Sequence, residues 1–129
     1  MAFPTTERFI EEAEAKLGVS LPIWLRARLL TENGGTIEAA DDYWGLFSVF
    51  DTTDRKHIAR SSTNIPGETE SARDWPGFPP SAVAIAADGS GDLLVLLPTT
   101  DNPAVLGPTV YLWQHEAGEL PVPVEVSYA

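Results

Sequence analysis

The stretch that decides the fold is Ala82-Val83-Ala84-Ile85-Ala86-Ala87-Asp88-Gly89-Ser90-Gly91-Asp92-Leu93-Leu94-Val95-Leu96-Leu97. Ala82 to Ala86 alternate larger and smaller apolar residues at the two-residue period of a strand. Asp88-Gly89-Ser90-Gly91 supplies the residues that a tight reversal needs, because Gly adopts positive φ freely and Asp bonds its own backbone. Asp92 to Leu97 then returns as a second arm. That arm is apolar on both faces, which predicts a central strand covered on both sides. A β-hairpin at the heart of a sheet is therefore the starting point.

Working outward, the flanks add more strands. Val110-Tyr111-Leu112-Trp113-Gln114-His115 reads as a further strand after a polar connection over 98–108. Pro121 and Pro123 interrupt the tail, leaving Val122 to Tyr128 as at best an edge strand. Upstream, Thr36–Ala39 is a short strand, Asp41-Asp42 a turn, and Tyr43 to Phe50 an aromatic, β-prone run. Residues 51–81 are the least regular part. Asp54 to Arg60 forms a helical turn, while Asn64-Ile65-Pro66-Gly67 and Asp74 to Pro80 read as surface turns.

The N-terminal third is helical. Over 6–17, Ile10, Ala13 and Leu17 share one face, the acids fall toward the start and Lys16 in the last turn, and Gly18 follows as a C-terminal stop. A second helix opens with Ser20 as cap and Pro22 in the first turn, carries a Leu21/Leu25/Leu29 stripe with Arg26 and Arg28 outside it, and ends at Asn33-Gly34-Gly35, where Asn and Gly accept the left-handed conformation. A two-helix N-terminal unit followed by strands is the reading of the residues, with residues 1–129 expected as one domain.

Composition narrows the function. With 43% hydrophobic residues and no cysteine, the chain needs no disulfide and can build no Cys-based metal or nucleophile site. The start lacks the apolar run of a signal peptide, and no stretch approaches a membrane span, so a soluble cytoplasmic protein is expected. Nineteen acids against eight bases give a net charge of −11, and no Lys or Arg follows Arg73. Such a surface repels nucleic acid and anionic lipid and steers a basic protein toward itself, although acidity also serves plain solubility.

Catalytic signals are thin. Asp88 to Asp92 has the composition of a calcium loop but lacks its oxygen spacing and distal Glu, so no metal or cofactor is expected. His57 and His115 stand far apart in sequence, and no G-x-S-x-G, P-loop or dinucleotide fingerprint occurs. A hydrolase using His115 and Glu116 is the remote alternative to a non-enzyme. Trp44 and Trp113 belong in strand patterns and hence in the core. Trp75, among prolines, is either an exposed interface anchor or a core plug.

Taken in order, Leu17-Gly18, Leu21-Pro22, Asn33-Gly34-Gly35, Tyr43-Trp44-Gly45-Leu46-Phe47, Gly89-Ser90-Gly91-Asp92 and Val110-Tyr111-Leu112-Trp113 resemble the SUKH superfamily in its yeast cell-wall-regulator (Smi/Knr-type) branch, over about residues 7–116. The resemblance implies an α+β fold, with N-terminal helices packed on a mostly antiparallel sheet, and a protein that binds another protein. Bacterial members look like immunity proteins of polymorphic or contact-dependent toxin systems, neutralising a toxin that is often a nuclease; fungal relatives look like regulatory scaffolds, the alternative reading. The expected partner is a basic toxin domain, with Asp41, Asp42, Asp74, Trp75, Asp88, Asp92 and Glu116 as candidate contacts and a monomer or weak homodimer as the state. One departure stands out. Members often close with an amphipathic helix after the V-Y-x-W strand, and Pro121 and Pro123 preclude one. The chain is then a shortened variant, or a partner covers its open sheet edge.

Overall fold

The structure, a computed structural model, describes residues 3–117 and 120–127. Two helices come first, α1 (Glu7–Leu17) and α2 (Ile23–Thr31). The hairpin β1 (Thr36–Ala39) and β2 (Asp42–Leu46) follows, then α3 (Arg55–Arg60) and α4 (Ile65–Ala72). The remainder is strand: β3 (Val83–Ala87), β4 (Leu93–Leu96), β5 (Val110–Trp113), β6 (Val122–Val124) and β7 (Val126–Ser127). Every ladder is antiparallel, in the order β6-β5-β4-β3-β2-β1-β7, so the α+β architecture holds.

The central hairpin forms as its sequence dictates. β3 pairs β4 from Val83–Leu96 to Ala87–Leu93 around the Asp88–Asp92 turn. Leu94, Val95 and Leu96 are all buried, as a strand covered on both faces requires. β2 follows β3 only over Gly45–Leu46, with Phe47 N–H still donating to the Ile85 carbonyl, and then turns away. Helix α4 fills the gap. Its buried Thr69 hydroxyl accepts the Ala84 N–H at 3.0 Å, and Ile65 N–H donates to the Ser48 carbonyl. These contacts satisfy backbone groups that the splayed strands leave without a ladder partner.

Several local expectations shift. Asn64-Ile65-Pro66-Gly67 is no surface turn: it starts α4, with Asn64 capping the Gly67 N–H, Pro66 in the first turn and Ile65 buried. Asn and Pro mark a helix start as readily as a turn, and the adjoining Gly masked the distinction. Pro22, not Ser20, is the N-cap of α2, because Ser20 is engaged by the backbone of Ala104 and Leu106. The β1–β2 reversal is Ala40–Asp41 rather than Asp41–Asp42, and β5 stops at Trp113.

Asn33 does not take the left-handed conformation; Gly34 and Gly35 do, at φ 124° and 86°. The Asn33 side chain is buried and hydrogen-bonds like a strand. Its amide donates to the Val49 carbonyl at 2.9 Å and its oxygen accepts the Val49 N–H at 2.8 Å. The outer arginines are likewise more than a polar face. Arg26 pairs with Glu7 and Glu14 of α1, and Arg28 reaches the Gly34 carbonyl. Hydrogen bonding to Glu14 comes first among the causes that raise the Arg26 pKa; burial opposes it, and the charges of Glu14 and Glu7 add to it.

The tail closes the sheet. Residues 122–124 pair with β5 and 126–127 with β1, so the two outermost strands are consecutive, separated by Glu125. The sheet curls until one segment straps its two edges together. The edges that the sequence left open are thus covered from within; Tyr128 itself lies outside the described residues.

Candidate protein-binding end

Antiparallel order places three connections at one end of the sheet: the β1–β2 turn, the β3–β4 turn and the β5–β6 link. Asp41 and Asp42 stand on the first, Asp88 and Asp92 on the second, and Glu116 on the third. Trp75 reaches the same end from the chain after α4, meeting the His115 ring edge-on with 5.7 Å between centroids. Asp74 precedes it in the chain and is exposed. Topology therefore gathers residues scattered over 41–116 that sequence order alone cannot relate.

The first turn is strained. Ala39 and Asp42 are register partners, which leaves a two-residue reversal whose Ala40 and Asp41 both have positive φ, 51° and 60°. A hairpin of this kind normally places Asn or Gly there, and alanine has no side-chain bond to ease the conformation. Next to it Tyr43 is 64% exposed and faces Glu38 across the ladder. The Glu38 carboxylate accepts from the phenol and, through that bond and its charge, raises the Tyr43 pKa.

In the second turn, Asp88 accepts the Ser90 N–H at 2.9 Å and the Ser90 hydroxyl at 2.6 Å. Burial alone would raise the Asp88 pKa; the Ser90 bonds outweigh it, the Asp42 carboxyl adds another, and the pKa falls below the usual range. Asp88 thus stays charged beside Asp42.

The third element is clasped to the second by a histidine. One oxygen of Asp92 takes both the His115 N–H at 3.2 Å and ring Nδ1 at 2.9 Å. The ring lies against Gly91, where a Cβ would sit 2.8–3.1 Å from three of its atoms. Only glycine, with its φ of 100° and no side chain, lets this imidazole pack on the turn. Ring Nε2 is 3.6 Å from Glu116, whose side chain is 88% exposed. Ser90, Asp92, Gln114, His115, Glu116 and Ala117 line a recess of ≈ 370 Å³. A second recess of ≈ 430 Å³ lies between Glu38–Asp42 and Val124–Ser127.

The two aromatic expectations resolve differently. Trp44 and Trp113 are buried; the Trp44 indole donates to the Ala39 carbonyl, and Trp113 meets Phe78 edge-on at 5.1 Å. Trp75 keeps half of its surface open, 50%, with His115 beneath it. The histidine role that sequence reading missed is this clasp, for which the only signal was a His following a strand.

His115 and Glu116 do line one recess, as the hydrolase alternative requires. The chemistry around them is not that of an activated nucleophile, however. The Ser90 hydroxyl donates to Asp88 and not to His115, and Nε2 faces a solvated carboxylate. Among the described residues no group of three acidic or histidine side chains is arranged to hold a metal ion. Nor is any described helix long and apolar enough to cross a membrane.

Most bases lie on the helices: Arg8 pairs with Glu12, Arg26 with Glu7 and Glu14, Arg28 with Glu32, and Arg60 stacks on Phe3. Arg73, at the end of α4, stands next to Asp74. The sheet-end turns thus carry Asp41, Asp42, Asp88, Asp92 and Glu116 with no Lys or Arg among them, whereas the helices carry bases alongside glutamates. The model of the SMI1 / KNR4 family (SUKH-1) matches residues 4–125. No curated protein and no solved structure matches the chain.

Proposed function

Because the chain belongs to the SMI1 / KNR4 family (SUKH-1), we propose that it acts as an immunity protein, neutralising a basic toxin domain by gripping it at the acidic hairpin end. The leading class of toxin is a nuclease, whose own substrate site must be basic to hold phosphates. Carrying this reading is the gathering of Asp41, Asp42, Asp88, Asp92 and Glu116 on turns at one end of the sheet, with half-exposed Trp75 and its chain neighbour Asp74 joining them, Trp75 against His115. An acidic surface of this kind mimics the charge of the nucleic acid that it displaces. The rim carboxylates accelerate encounter, and Trp75 on its His115 support supplies the anchor that slows dissociation.

The action is binding rather than catalysis, in keeping with the family. The Asp92–His115 bond and Gly91 hold the second and third loops in one arrangement, so little ordering is needed on association. The test is co-purification from the producing cell with the tagged chain, followed by a nuclease assay on the partner. Recovery of a basic protein whose nuclease activity the chain inhibits supports the reading; a partner with no toxic or nucleolytic activity rejects the immunity role.

A further inference from the structure

Residues 50–64 leave the core and return to it with almost nothing apolar to hold them. Helix α3 is six residues long and none of them is buried, although an isolated helix needs roughly 12–15 residues to persist in water. Its one large apolar side chain, Ile58, is exposed. Between Val49 and Ile65, both fully buried, only Asp51 and Ser61 are buried, and both are polar. Among the described residues six polar side chains are buried, and five of them, Thr5, Asn33, Ser48, Asp51 and Ser61, gather where this segment leaves and rejoins the core. The segment is therefore docked by hydrogen bonds and ring contacts rather than by apolar burial.

The start of the chain supplies several of those contacts. The Thr5 hydroxyl donates to one Asp51 oxygen at 2.8 Å, while the other oxygen accepts from the Thr53 N–H and hydroxyl. The Asp51 N–H donates to the Ser61 hydroxyl at 2.9 Å, and that hydroxyl donates to the His57 carbonyl at 2.7 Å. The Phe3 ring lies on α3 itself, 4.8 Å from the His57 ring and 4.6 Å from the Arg60 guanidinium. Residues 3–5 are in turn fixed to the end of α2. The Asn33 N–H donates to the Phe3 carbonyl at 2.8 Å, and the Thr5 N–H to the Leu29 carbonyl at 3.1 Å.

We propose that Phe3 and Thr5 form a latch, and that its release lets residues 51–62 open as a flap while the sheet and the other helices stay folded. Segments with few buried apolar contacts open at far lower free energy than the core they lie on. The hinges are set by what remains tied down. On one side Asn33 holds the Val49 backbone; on the other the Ser48 N–H donates to the Thr63 carbonyl, and the Ile65 N–H to the Ser48 carbonyl. The flap carries Arg55, Lys56 and Arg60, three of the eight Lys and Arg residues of an acidic chain, so the latch decides where those charges stand. A molecule that takes up residues 3–5 opens the flap, and one that clamps α3 holds the start of the chain down, since such coupling is reciprocal. The device does not depend on what binds the acidic hairpin end.

Native-state hydrogen exchange of the intact chain, read by mass spectrometry, tests this with Phe3→Ala and Thr5→Val. Each removes one half of the latch, so amides over 55–62 should exchange at least about fivefold faster in both variants. Amides of β3 and β4 should keep their wild-type protection. Phe3→Tyr retains the ring and should exchange as wild type does, whereas Phe3→Leu, apolar without an aromatic face, should follow Phe3→Ala. Unchanged exchange over 55–62 in either variant would overturn the latch. So would equal acceleration in β3 and β4, or failure of Phe3→Ala to fold, because either would make residues 3–5 part of the global core and not the fastening of a flap.

Discussion

Asn33→Ala takes both hydrogen bonds away from the Val49 backbone in one substitution. Asn33 is 6% exposed and Val49 is fully buried, so neither the Val49 N–H nor its C=O has ready access to bulk water. Each unsatisfied buried backbone group costs about 1–3 kcal/mol, which puts the pair at roughly 2–6 kcal/mol. A water entering the space left by the amide would hold the loss to the lower half of that range. Against a total of about 5–15 kcal/mol, this is a large share of the stability. Urea denaturation reads it directly: with a slope of about 1–3 kcal/mol/M, the midpoint should fall by on the order of 1–2 M. Asn33→Asp provides the control. Its carboxylate can accept the Val49 N–H but faces the carbonyl, so its pKa is raised in the folded state. A raised acid binds its proton more tightly when folded, so this variant should recover toward wild type as pH falls. A loss below about 1 kcal/mol for Asn33→Ala, or an Asn33→Asp deficit that grows on acidification, would refute the strand-surrogate role of this side chain.

Other perturbations read other parts of the structure. Gly91→Ala forces a side chain into positive φ and into the His115 ring, so it should cost about 1–3 kcal/mol and shift the His115 imidazole resonances in NMR spectra. Ala40→Gly relieves left-handed strain at the first turn and should stabilise by about 0.5–1 kcal/mol in thermal unfolding, after the entropy that Gly adds to the unfolded chain. Burial favours protonation of Asp51, but bonds from the Thr53 hydroxyl and N–H and the Thr5 hydroxyl, with nearby His57, outweigh it and lower the pKa. The stability this carboxylate contributes is present above its unfolded pKa of about 3.9 and lost as pH falls through its lower folded value. Thr5→Val should therefore flatten the acid limb of a stability–pH curve measured between about pH 5 and pH 2.

Much of this fold is legible because local signals and tertiary demands agree. The α1 stripe with Gly18 behind it, the 36–39 strand and the 82–97 hairpin each carry pattern, propensity and turn chemistry that point the same way. The misread places are those where one residue serves a distant partner. Nothing local says that Asn33 will bond Val49, or that Thr69 will complete the backbone of Ala84. The start of α4 was hidden because Asn-x-Pro-Gly suits a turn as well as a capped helix. Closure of the sheet by 122–127 was equally invisible, since strand pairing between residues nearly a hundred apart leaves no local trace.

The acidic hairpin end was legible in composition but not in place. A base-free second half announces an acidic surface, yet only the antiparallel order brings Asp41 and Asp42 beside Asp88. Trp75 carried two readings in sequence, anchor or plug, and its half-exposed seat on His115 keeps it available as an anchor. His115 was noticed for its chemistry, whereas its contacts with Asp92 and Gly91 are those of a positioning residue.

The most direct measurement of the central claim is the association rate between this chain and the basic protein that co-purifies with it, followed by stopped flow across a salt series. Wild type should associate fast at low salt and slow steeply as salt rises. The double variant Asp41→Asn/Asp42→Asn should associate several-fold more slowly at low salt and show a shallower salt dependence, with its fold unchanged. Equal rates and equal salt slopes for the two proteins would contradict recognition at the acidic hairpin end.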